Sequence, residues 1–231
     1  MKTIGLLGGM SWESTALYYR VLNEGIKTRL GGHHSAQIVM ASLDFEPIKA
    51  LQFAGRWDEA AAVLADAARR IEAAGADFLL ICTNTMHKVA DAVADAIRIP
   101  LVHLADATAE EIKAQGLTRI GLLGTQFTMA EDFYKGRLAA RHGIEVLTPS
   151  PADQQIVHRV IYEELCQGIV RDESRREFLR IIDELEARGA QGVIEGCTEI
   201  VMLVQQAHTA VPLFDTTAIH ASKAVDLALT D

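Results

Sequence analysis

Two of the three cysteines in this chain stand where a side chain could act on a ligand. Cys82 and Cys197 each follow a short apolar run and precede polar residues, in the segments CTNT and CTE. This change is typical of a buried strand that ends in a loop. A thiol in such a strand-to-helix turn is expected to have a lowered pKa, because backbone N–H groups and the positive end of the next helix stabilise the thiolate. The two thiols are therefore candidate acid/base groups, whereas Cys166 ends the helical pattern IVHRVIYEELC and is expected to be a packing residue.

The surroundings of these two cysteines recur within the chain. Three segments are matched in the same order: IGLLG (from residues 4 and 120), GADFLLICTNT (75) with GAQGVIEGCTE (189), and IPLVHLADAT (99) with VPLFDTTAIH (211). Three matches in register predict two copies of one βαβ-based unit. The first lobe is predicted to comprise residues 1–98 plus 212–231, and the second residues 99–211. A cleft between the lobes is the expected ligand site.

Short apolar runs alternate with longer segments whose apolar residues recur every three or four positions. This alternation predicts an α/β fold with parallel sheets flanked by helices. Helices are expected at Trp57–Ala74 and Ser174–Arg188, each followed by a glycine in the left-handed C-cap position. The predicted strands are Ile4–Leu7, Ile38–Ser42, Phe78–Ile81, Leu101–His103, Ile120–Leu123, Glu145–Leu147, Gly192–Glu195 and Leu213–Phe214.

Composition argues against several classes of partner. The 231 residues carry a net charge of −9 and no Lys/Arg-rich run, so neither nucleic acid nor a membrane surface is an expected partner. No apolar stretch is long enough to span a bilayer, and MKTIGLLGGMSWEST is interpreted as a strand and loop rather than a signal peptide, so a cytoplasmic location is expected. Three cysteines without CxxC or HxxxH spacing predict neither a disulfide framework nor a metal site.

Acid/base groups on matching loops of two lobes suit the inversion of a stereocentre next to a carboxylate. One group must remove a proton from one face of the carbon, and another must deliver a proton to the opposite face. A single base returns the proton to the face it left, whereas groups from two pseudo-symmetric lobes act from opposite sides. A thiolate and a thiol that exchange roles at each turnover, Cys82 and Cys197, would meet this requirement.

At these residues the chain resembles the aspartate/glutamate racemase family over essentially its full length. The segments that carry the resemblance are LLGGMSWEST, CTNTMH, LLGT and EGCTEI, and the bacterial broad-range or aspartate/glutamate-specific branch is the most similar. The resemblance implies two flavodoxin-like lobes related by a pseudo-twofold axis, with catalysis by Cys82 and Cys197. It also implies a small amino-acid substrate, no cofactor such as pyridoxal phosphate, no metal, and a homodimer.

The resemblance further assigns the substrate-binding residues. They belong to the two glycine-rich loops and the two cysteine loops: Met10, Ser11, Thr125, Thr83, Asn84, Thr85, Thr198 and Glu199. CTNTMH carries an extra Thr compared with the commoner CNT form, which is expected to change the backbone amide that meets the ligand.

Two cleft positions depart from the family pattern. Aspartate racemases of this family carry an Arg and a Lys where this chain is aligned to have Gln52 and Cys166. Neither residue is cationic, which argues against a strict requirement for a second substrate carboxylate. Gln52 can still hydrogen-bond a carboxylate or hydroxyl, although more weakly than the bidentate fork of Arg.

The expected function is therefore racemisation of aspartate, glutamate or a related small amino acid, and several alternatives stay open. Maleate isomerases and hydantoin racemases share the fold and the two cysteines, although CTNT with GCTE favours the amino-acid branch. Arylmalonate decarboxylases carry a single cysteine and are disfavoured. A two-lobed amino-acid-binding protein would not need a thiol at both turns. A redox switch would need the sulfurs of Cys82 and Cys197 within bonding reach.

Overall fold

A computed structural model of the protein describes residues 1–230. The chain divides into two compact units, one formed by Met1–Ala107 together with the segment from Thr217, the other by Thr108–Thr216. The helices and strands follow one another as β1 (Ile4–Gly8), α1 (Trp12–Leu30), β2 (Ile38–Ser42), α2 (Phe45–Phe53), α3 (Trp57–Ala73), β3 (Phe78–Ile81), α4 (Ala90–Asp95), α5 (Leu104–Ala114), β4 (Arg119–Gly124), α6 (Gln126–Ala130), α7 (Asp132–His142), β5 (Glu145–Leu147), α8 (Pro151–Glu163), α9 (Asp172–Ala187), β6 (Val193–Gly196), α10 (Ile200–Leu203), β7 (Leu213–Asp215) and α11 (Thr216–Leu229).

Each unit contains one parallel sheet. The first sheet has the order β2-β1-β3, and Leu101 adds a single parallel bridge beside Leu79 of β3. The second sheet has the order β5-β4-β6-β7. In both sheets the IGLLG segment is the central strand, and the strand that follows next in sequence lies on one side of it. The predicted α/β fold with two parallel sheets flanked by helices is confirmed.

The glycine of the IGLLG segment explains part of this repeat. A Cβ on Gly5 would lie 2.7 Å from the Ile71 side chain on α3, and one on Gly121 would lie 3.0 Å from the Leu185 side chain on α9. Only a residue without a side chain allows these helices to pack so closely on the central strand. Corresponding helices, α3 and α9, therefore cover the same position of the central strand in the two units.

Both faces of the first sheet are buried. Along β3 the side chains alternate, as expected for a strand. Leu79 and Ile81 pack with residues of α2, α3 and α4, whereas Leu80 and Cys82 pack with residues of α1 and α11. A near-continuous apolar run such as FLLI is typical of a parallel strand that is covered by helices on both sides.

In the second unit, α8, α9 and α10 cover one face of the sheet. Phe178 and Ile181 of α9 are fully buried there, together with Leu123 of β4 and Val193 of β6. Cys197 is only partly buried and packs against the edge of this cluster.

Two sequence expectations need correction in detail. The predicted strand Leu101–His103 contributes one bridge residue only, and His103 instead precedes α5. Leu101 pairs beside β3, so the residues after position 98 belong to the first unit. Strand β7 pairs with β6, so β7 belongs to the second unit. The divisions therefore fall after Ala107 and Thr216, nine and five residues later than the predicted ends at 98 and 211.

The two predicted helix ends are confirmed. Gly75 and Gly189 adopt φ values of +94° and +96° immediately after Ala74 and Arg188, the C-cap residues of α3 and α9, where a residue of positive φ ends a helix. Among residues 1–230, no helix is both long and apolar enough to cross a membrane. In the same residues, His, Cys, Asp and Glu side chains form no group of three or more that could hold a metal ion.

Candidate active site

The glycine-rich loop after β1 is closed by a helix cap. Gly9 has a φ of +90°, and a Cβ at this residue would lie 2.1 Å from the carbonyl oxygen of Leu43. Ser11 caps α1, since its hydroxyl accepts a hydrogen bond from the Ser14 N–H at 3.3 Å. Met10 is 3% exposed and packs in the core of the first unit, so its side chain anchors the loop to that core.

The corresponding loop of the second unit is shorter but ends in the same way. Thr125 follows β4 directly and caps α6, because its hydroxyl accepts a hydrogen bond from the Thr128 N–H at 3.4 Å. Ser11 and Thr125 therefore both place a hydroxyl at the start of a helix beyond the central strand. This matches the sequence prediction that the two loops are counterparts.

The Cys82 side chain lies in the hydrophobic core. Its N–H donates a hydrogen bond to the carbonyl oxygen of Leu7 at 2.9 Å, which continues the β3 ladder by one residue. The side chain is fully buried and packs with Tyr18 of α1 and Ala221 of α11. The Ser14 hydroxyl donates to the Cys82 carbonyl oxygen at 2.9 Å, so the backbone is also held at this point.

The pKa of Cys82 is raised rather than lowered, which corrects the sequence expectation. Burial raises the pKa of this thiol, because a thiolate would lose its hydration in the core. The segment that follows is a 3-10 helix, Thr85–Val89, and the short α4 begins only after it. A long helix whose N-terminus could stabilise a thiolate is therefore not placed at Cys82.

Strand pairing fixes where Cys82 stands relative to the central strand. Leu7 of β1 pairs with Ile81 of β3 in parallel register. One residue further along both strands, Cys82 therefore stands beside Gly8, the last residue of β1.

The same pairing in the second sheet gives a different partner for Cys197. There the last glycine of the central strand, Gly124, pairs with Gly196 of β6. Because the two central strands are copies of one segment, Cys82 corresponds to Gly196, and Thr83 corresponds to Cys197. Matching the cysteines to each other in the sequence is off by one residue at this point.

The packing of the two cysteines agrees with this shift. Cys197 packs against the cluster that contains Val193, and the counterpart of Val193 in the first sheet is Leu79. Leu79 faces α2 and α3, whereas Cys82 faces α1 and α11. The two cysteines thus lie on non-equivalent faces of their sheets. The residue of the first sheet that is equivalent in position to Cys197 is Thr83, which is half-buried.

Cys197 is paired with a carboxylate. Its Sγ donates a hydrogen bond to Oε2 of Glu199 at 2.8 Å. Burial, followed by the Glu199 charge and by Cys166, raises the pKa of Cys197 well above its ordinary value. The helix that follows, α10, has only four residues, so its dipole does not offset these effects. Here too the expected lowering of the pKa is wrong, and Cys197 is a neutral thiol beside a group that can accept its proton.

Two aromatic side chains of α8 near Cys197 are absent from the sequence prediction. Burial raises the pKa of Tyr162, with smaller contributions from Cys197, Cys166 and Glu199, which places these side chains in one neighbourhood. The His158 ring lies 4.8 Å from the Tyr162 ring, and its Nδ1 accepts a hydrogen bond from the Gln126 N–H at 3.2 Å. The spacing of Tyr162, four residues before Cys166 on one helical pattern, is the signal that could have found it.

The remaining predicted site residues lie in or beside the cysteine loops. Asn84 and Thr85 are buried, and Thr198 is half-buried next to Glu199. Cys166 lies in a 3-10 turn, Leu165–Gln167, at the edge of the second core.

Gln52 is not a surface residue. It lies on α2, is 3% exposed, and its side-chain amide donates to Sδ of Met86 at 2.9 Å. Met86 follows the Thr83–Thr85 loop in the 3-10 helix, so Gln52 supports that segment from within the first unit.

A buried carboxyl group on β6 was not predicted either. Glu195 is 4% exposed and pairs in register with Asp215 of β7. Burial, and secondarily the charge of Asp215, raise the pKa of Glu195 to about 8. This carboxyl group is therefore protonated at neutral pH, two residues before Cys197 along the chain.

Several known proteins with similar sequences or structures are described as racemases or as racemase homologues. A crystal structure of a candidate Asp/Glu racemase from Yersinia pestis is 55% identical, with a TM-score of 0.95 and 100% of both chains covered. An aspartate racemase homologue from Pyrococcus horikoshii OT3 is 34% identical, with a TM-score of 0.87 over 100% of both chains. The broad specificity amino-acid racemase RacX of Bacillus subtilis is 24% identical over 172 residues, which is 74% of each chain.

The family profile described as Asp/Glu/hydantoin racemase matches residues 7–224. This match includes both glycine-rich loops, Cys82 to Thr85 and Cys197 to Glu199. The chain therefore belongs to the Asp/Glu/hydantoin racemase family and is a racemase, an enzyme of the isomerase class.

Proposed function

We propose that this enzyme racemises small α-amino acids by moving the α-proton between two groups, one from each repeat. The first group is Cys197, and the second is the hydroxyl of Thr83. The observation that carries the proposal is the strand register, which makes Thr83 the counterpart of Cys197. The Cys82 thiol, with its side chain in the core, stays the alternative for the second group.

The hydrogen bond between Cys197 and Glu199 supports the role of the thiol. Glu199 accepts the thiol proton, and the resulting thiolate removes the proton from the α-carbon of the substrate. The electron pair of the C–H bond passes into the substrate carboxylate group, and the Thr83 hydroxyl donates a proton to the opposite face. Glu199 then releases the proton that it accepted to water, and water returns a proton to the Thr83 oxygen, so that both groups are restored. The reverse reaction uses the same groups in the opposite roles, since each step is reversible.

The charges around Cys197 favour a substrate without a second carboxylate. The charged group hydrogen-bonded to Cys197 is an anion, Glu199, and Cys166 is uncharged where aspartate racemases are aligned to carry Lys. Gln52, at the position of the expected Arg, donates its amide hydrogen bond to Met86. We therefore propose that amino acids with uncharged side chains are turned over at least as well as aspartate and glutamate.

Incubation of the purified protein in deuterated water tests the reaction itself. A panel of L- and D-amino acids, acidic, neutral and basic, is followed by mass spectrometry and by chiral chromatography. We expect deuterium at the α-carbon together with loss of optical purity for at least one pair of enantiomers. If a folded sample exchanges no member of the panel, amino-acid racemisation is not its function.

Three variants then assign the groups. Cys197→Ser and Thr83→Val, which removes the hydroxyl but keeps the side-chain shape, are each expected to abolish racemisation. Cys82→Ala is the matched control, since it removes the neighbouring thiol and only empties part of the core. It is expected to lower stability and keep turnover. A folded Cys82→Ala protein without activity, together with an active Thr83→Val protein, would assign the role to Cys82 instead.

Two further proposals carry over from the sequence, the first from the family resemblance and the second from the interpretation of the N-terminal segment as a strand and loop. We propose a homodimer and a cytoplasmic location. Sedimentation of the full chain at micromolar concentration tests the first, and a monomer throughout this range would contradict it. Fractionation of the source cells tests the second.

A further inference from the structure

A buried histidine bridges two backbone segments of the first unit. His87 is 3% exposed. Its Nδ1 lies 2.8 Å from the carbonyl oxygen of Thr83, and its Nε2 lies 3.2 Å from the amide nitrogen of Leu104 at the start of α5. One imidazole ring therefore joins the loop after β3 to the first residue of a helix.

These two contacts define the tautomer of His87. A carbonyl oxygen only accepts, so Nδ1 must carry the proton and donate to Thr83. A backbone N–H only donates, so Nε2 must be bare and accept from Leu104. The ring satisfies both partners only as the neutral Nδ1–H tautomer.

A second buried histidine in the same cluster has the opposite tautomer. Nε2 of His220 lies 2.8 Å from the carbonyl oxygen of Val102 and must donate to it, which leaves Nδ1 to accept from the Tyr18 hydroxyl at 2.9 Å. The His87 ring lies 6.0 Å from the His220 ring and 4.6 Å from the ring of His103. His220 therefore serves as a reference for His87, because the two rings lie in one cluster and are expected to carry their proton on different nitrogens.

The bond to Thr83 continues a pattern in the loop. The carbonyl oxygens of Cys82 and Thr83 lie beyond the end of β3, and each accepts a hydrogen bond from a side chain: the first from the Ser14 hydroxyl at 2.9 Å, the second from His87 at 2.8 Å. Two consecutive peptide groups are therefore oriented by side chains of the same unit. Because a peptide group is planar, fixing its carbonyl also fixes the N–H of the following residue, which for Thr83 is Asn84.

We propose that His87 is a positioning residue, which as the neutral Nδ1–H tautomer holds the Thr83 carbonyl and so aims the Thr83 side chain and the Asn84 N–H at the substrate. The inference rests on the proposed function only in its last step, the aim at the substrate. The hold on the loop is a property of the protein by itself. His87 does not touch the reacting atoms in this proposal and acts through Thr83.

Nitrogen-15 NMR of the histidine rings in the wild-type protein tests the hold directly. His87→Gln and His220→Gln proteins assign the ring signals. We expect a bare Nε2 and a protonated Nδ1 for His87, and the reverse for His220. A His87 ring that is protonated on Nε2, or on both nitrogens, overturns the proposal. The tautomer is read from the wild-type protein without substrate, and the two variants serve only to assign the signals.

Hydrogen exchange and kinetics test the consequence. His87→Ala removes the bond to Thr83. Tyr18→Phe is the matched control, because it removes the hydrogen bond to His220 in the same cluster and keeps the aromatic ring that packs with Cys82. In His87→Ala we expect amide exchange at residues 84 and 85 to rise at least about fivefold, the change that one lost hydrogen bond produces. We expect kcat to fall roughly 10- to 100-fold with a much smaller change in KM, as for a misplaced reacting group.

The outcomes separate this inference from the proposed function. Loop exchange in His87→Ala that does not exceed that of Tyr18→Phe overturns the positioning role. Raised loop exchange with an unchanged kcat also overturns it, since the loop would then be held without effect on turnover. If the wild-type protein racemises no amino acid, the proposed function fails, while the ring tautomer and the loop exchange still decide whether His87 holds Thr83.

Discussion

Thr83 holds, in the first sheet, the position that Cys197 holds in the second. In each sheet one residue stands beside the last glycine of the central IGLLG strand: Cys82 in the first sheet and Gly196 in the second. Thr83 and Cys197 are the residues that come next. A hydroxyl and a thiol at equivalent positions make an asymmetric acid/base pair, because an alcohol is a far weaker acid than a thiol. In the proposed reaction the two directions then begin from groups of unequal strength.

Thr83→Cys is expected to increase turnover. The substitution installs a thiol at the position equivalent to Cys197, so both groups can exist as thiol or thiolate near neutrality. We expect kcat to rise by about tenfold in the direction in which residue 83 removes the proton, since general-base catalysis improves as the pKa of the base approaches the working pH. Stopped-time assays from each pure enantiomer measure the two directions separately.

The control for this substitution is the same change in a Cys82→Ala background, which leaves a single thiol in the loop. Turnover that rises equally in both backgrounds attributes the gain to residue 83. If Thr83→Cys loses activity to the same extent as Thr83→Val, the hydroxyl has a role that a thiol cannot supply, and the equivalence of Thr83 with Cys197 does not extend to chemistry.

Glu199→Gln is expected to lower the pKa of Cys197. Burial is the larger cause of the raised pKa and stays in the variant, whereas the repulsion between the Glu199 carboxylate and a thiolate disappears. At a fixed pH the thiolate fraction of Cys197 therefore increases. Alkylation by iodoacetamide across a pH series, followed on the Cys197 peptide by mass spectrometry, reports the midpoint. The Cys166 peptide in the same digest is the reference, and a Cys197 midpoint that is unchanged or higher in the variant would contradict the assignment.

Much of the fold could be predicted from the sequence, because local patterns determine it. The strand positions of β1, β2, β3 and β5 and the glycines after α3 and α9 follow from apolar periodicity and from the backbone freedom of glycine. The repeat predicted two equivalent sheets, and the common strand order in both units agrees with it.

The counterpart of Cys197 could not be predicted in the same way. In a strand a shift of one residue moves a side chain to the opposite face, and the sequence contains no direct record of which residue pairs with the central strand. Two cysteines followed by Thr invite a match of Cys82 with Cys197, whereas the backbone register matches Thr83. Two signs of this shift are visible in the sequence. The ungapped match of GADFLLICTNT with GAQGVIEGCTE places Cys82 opposite Gly196, and CTNTMH carries an extra Thr.

The pKa values at the site depend on burial and on neighbours that are distant in sequence. The sequence indicated a helix after each cysteine, and the positive end of that helix suggested a lowered thiol pKa. The structure has a 3-10 segment in one case and a four-residue helix in the other. It buries Cys82 fully and Cys197 in part, and burial is the largest cause of the raised pKa of each thiol. Glu195 is absent from the sequence prediction for the same reason, since only the folded chain places it beside Asp215. The spacing of Tyr162 from Cys166 points to a shared helix face, but its closeness to Cys197 also depends on the fold.

His220 is expected to make the protein sensitive to acid. Burial, and then the neighbouring His87, lower the pKa of His220 from 6.5 to about 3. Between these values the unfolded chain binds a proton that the folded protein does not. The contribution of neutral His220 to the free energy of unfolding is therefore fully present above pH 6.5 and is lost as the pH falls toward 3. The slope is about 1.4 kcal/mol per pH unit for one such group. Urea unfolding of wild type and His220→Gln across this range measures it, and the variant is expected to show the shallower pH dependence. Parallel curves for the two proteins would mean that His220 does not carry the effect.

Glu195 is expected to act in the opposite direction and in a higher pH range. Its pKa is raised from 4.5 to about 8, mainly by burial, so the folded protein keeps a proton that the unfolded chain has already released. Its contribution to stability is therefore largest below pH 4.5 and falls as the pH rises toward 8, by about 1.4 kcal/mol per unit at most. Glu195→Gln removes the ionisation while keeping the side-chain shape. The free energy of unfolding of the variant relative to wild type should increase steadily over this window, whereas Asp226→Asn, at an exposed ion pair with Arg29, should show no such trend. A difference between Glu195→Gln and wild type that is constant from pH 5 to 8 would show that the carboxyl group is already ionised across this range and that its pKa is not raised.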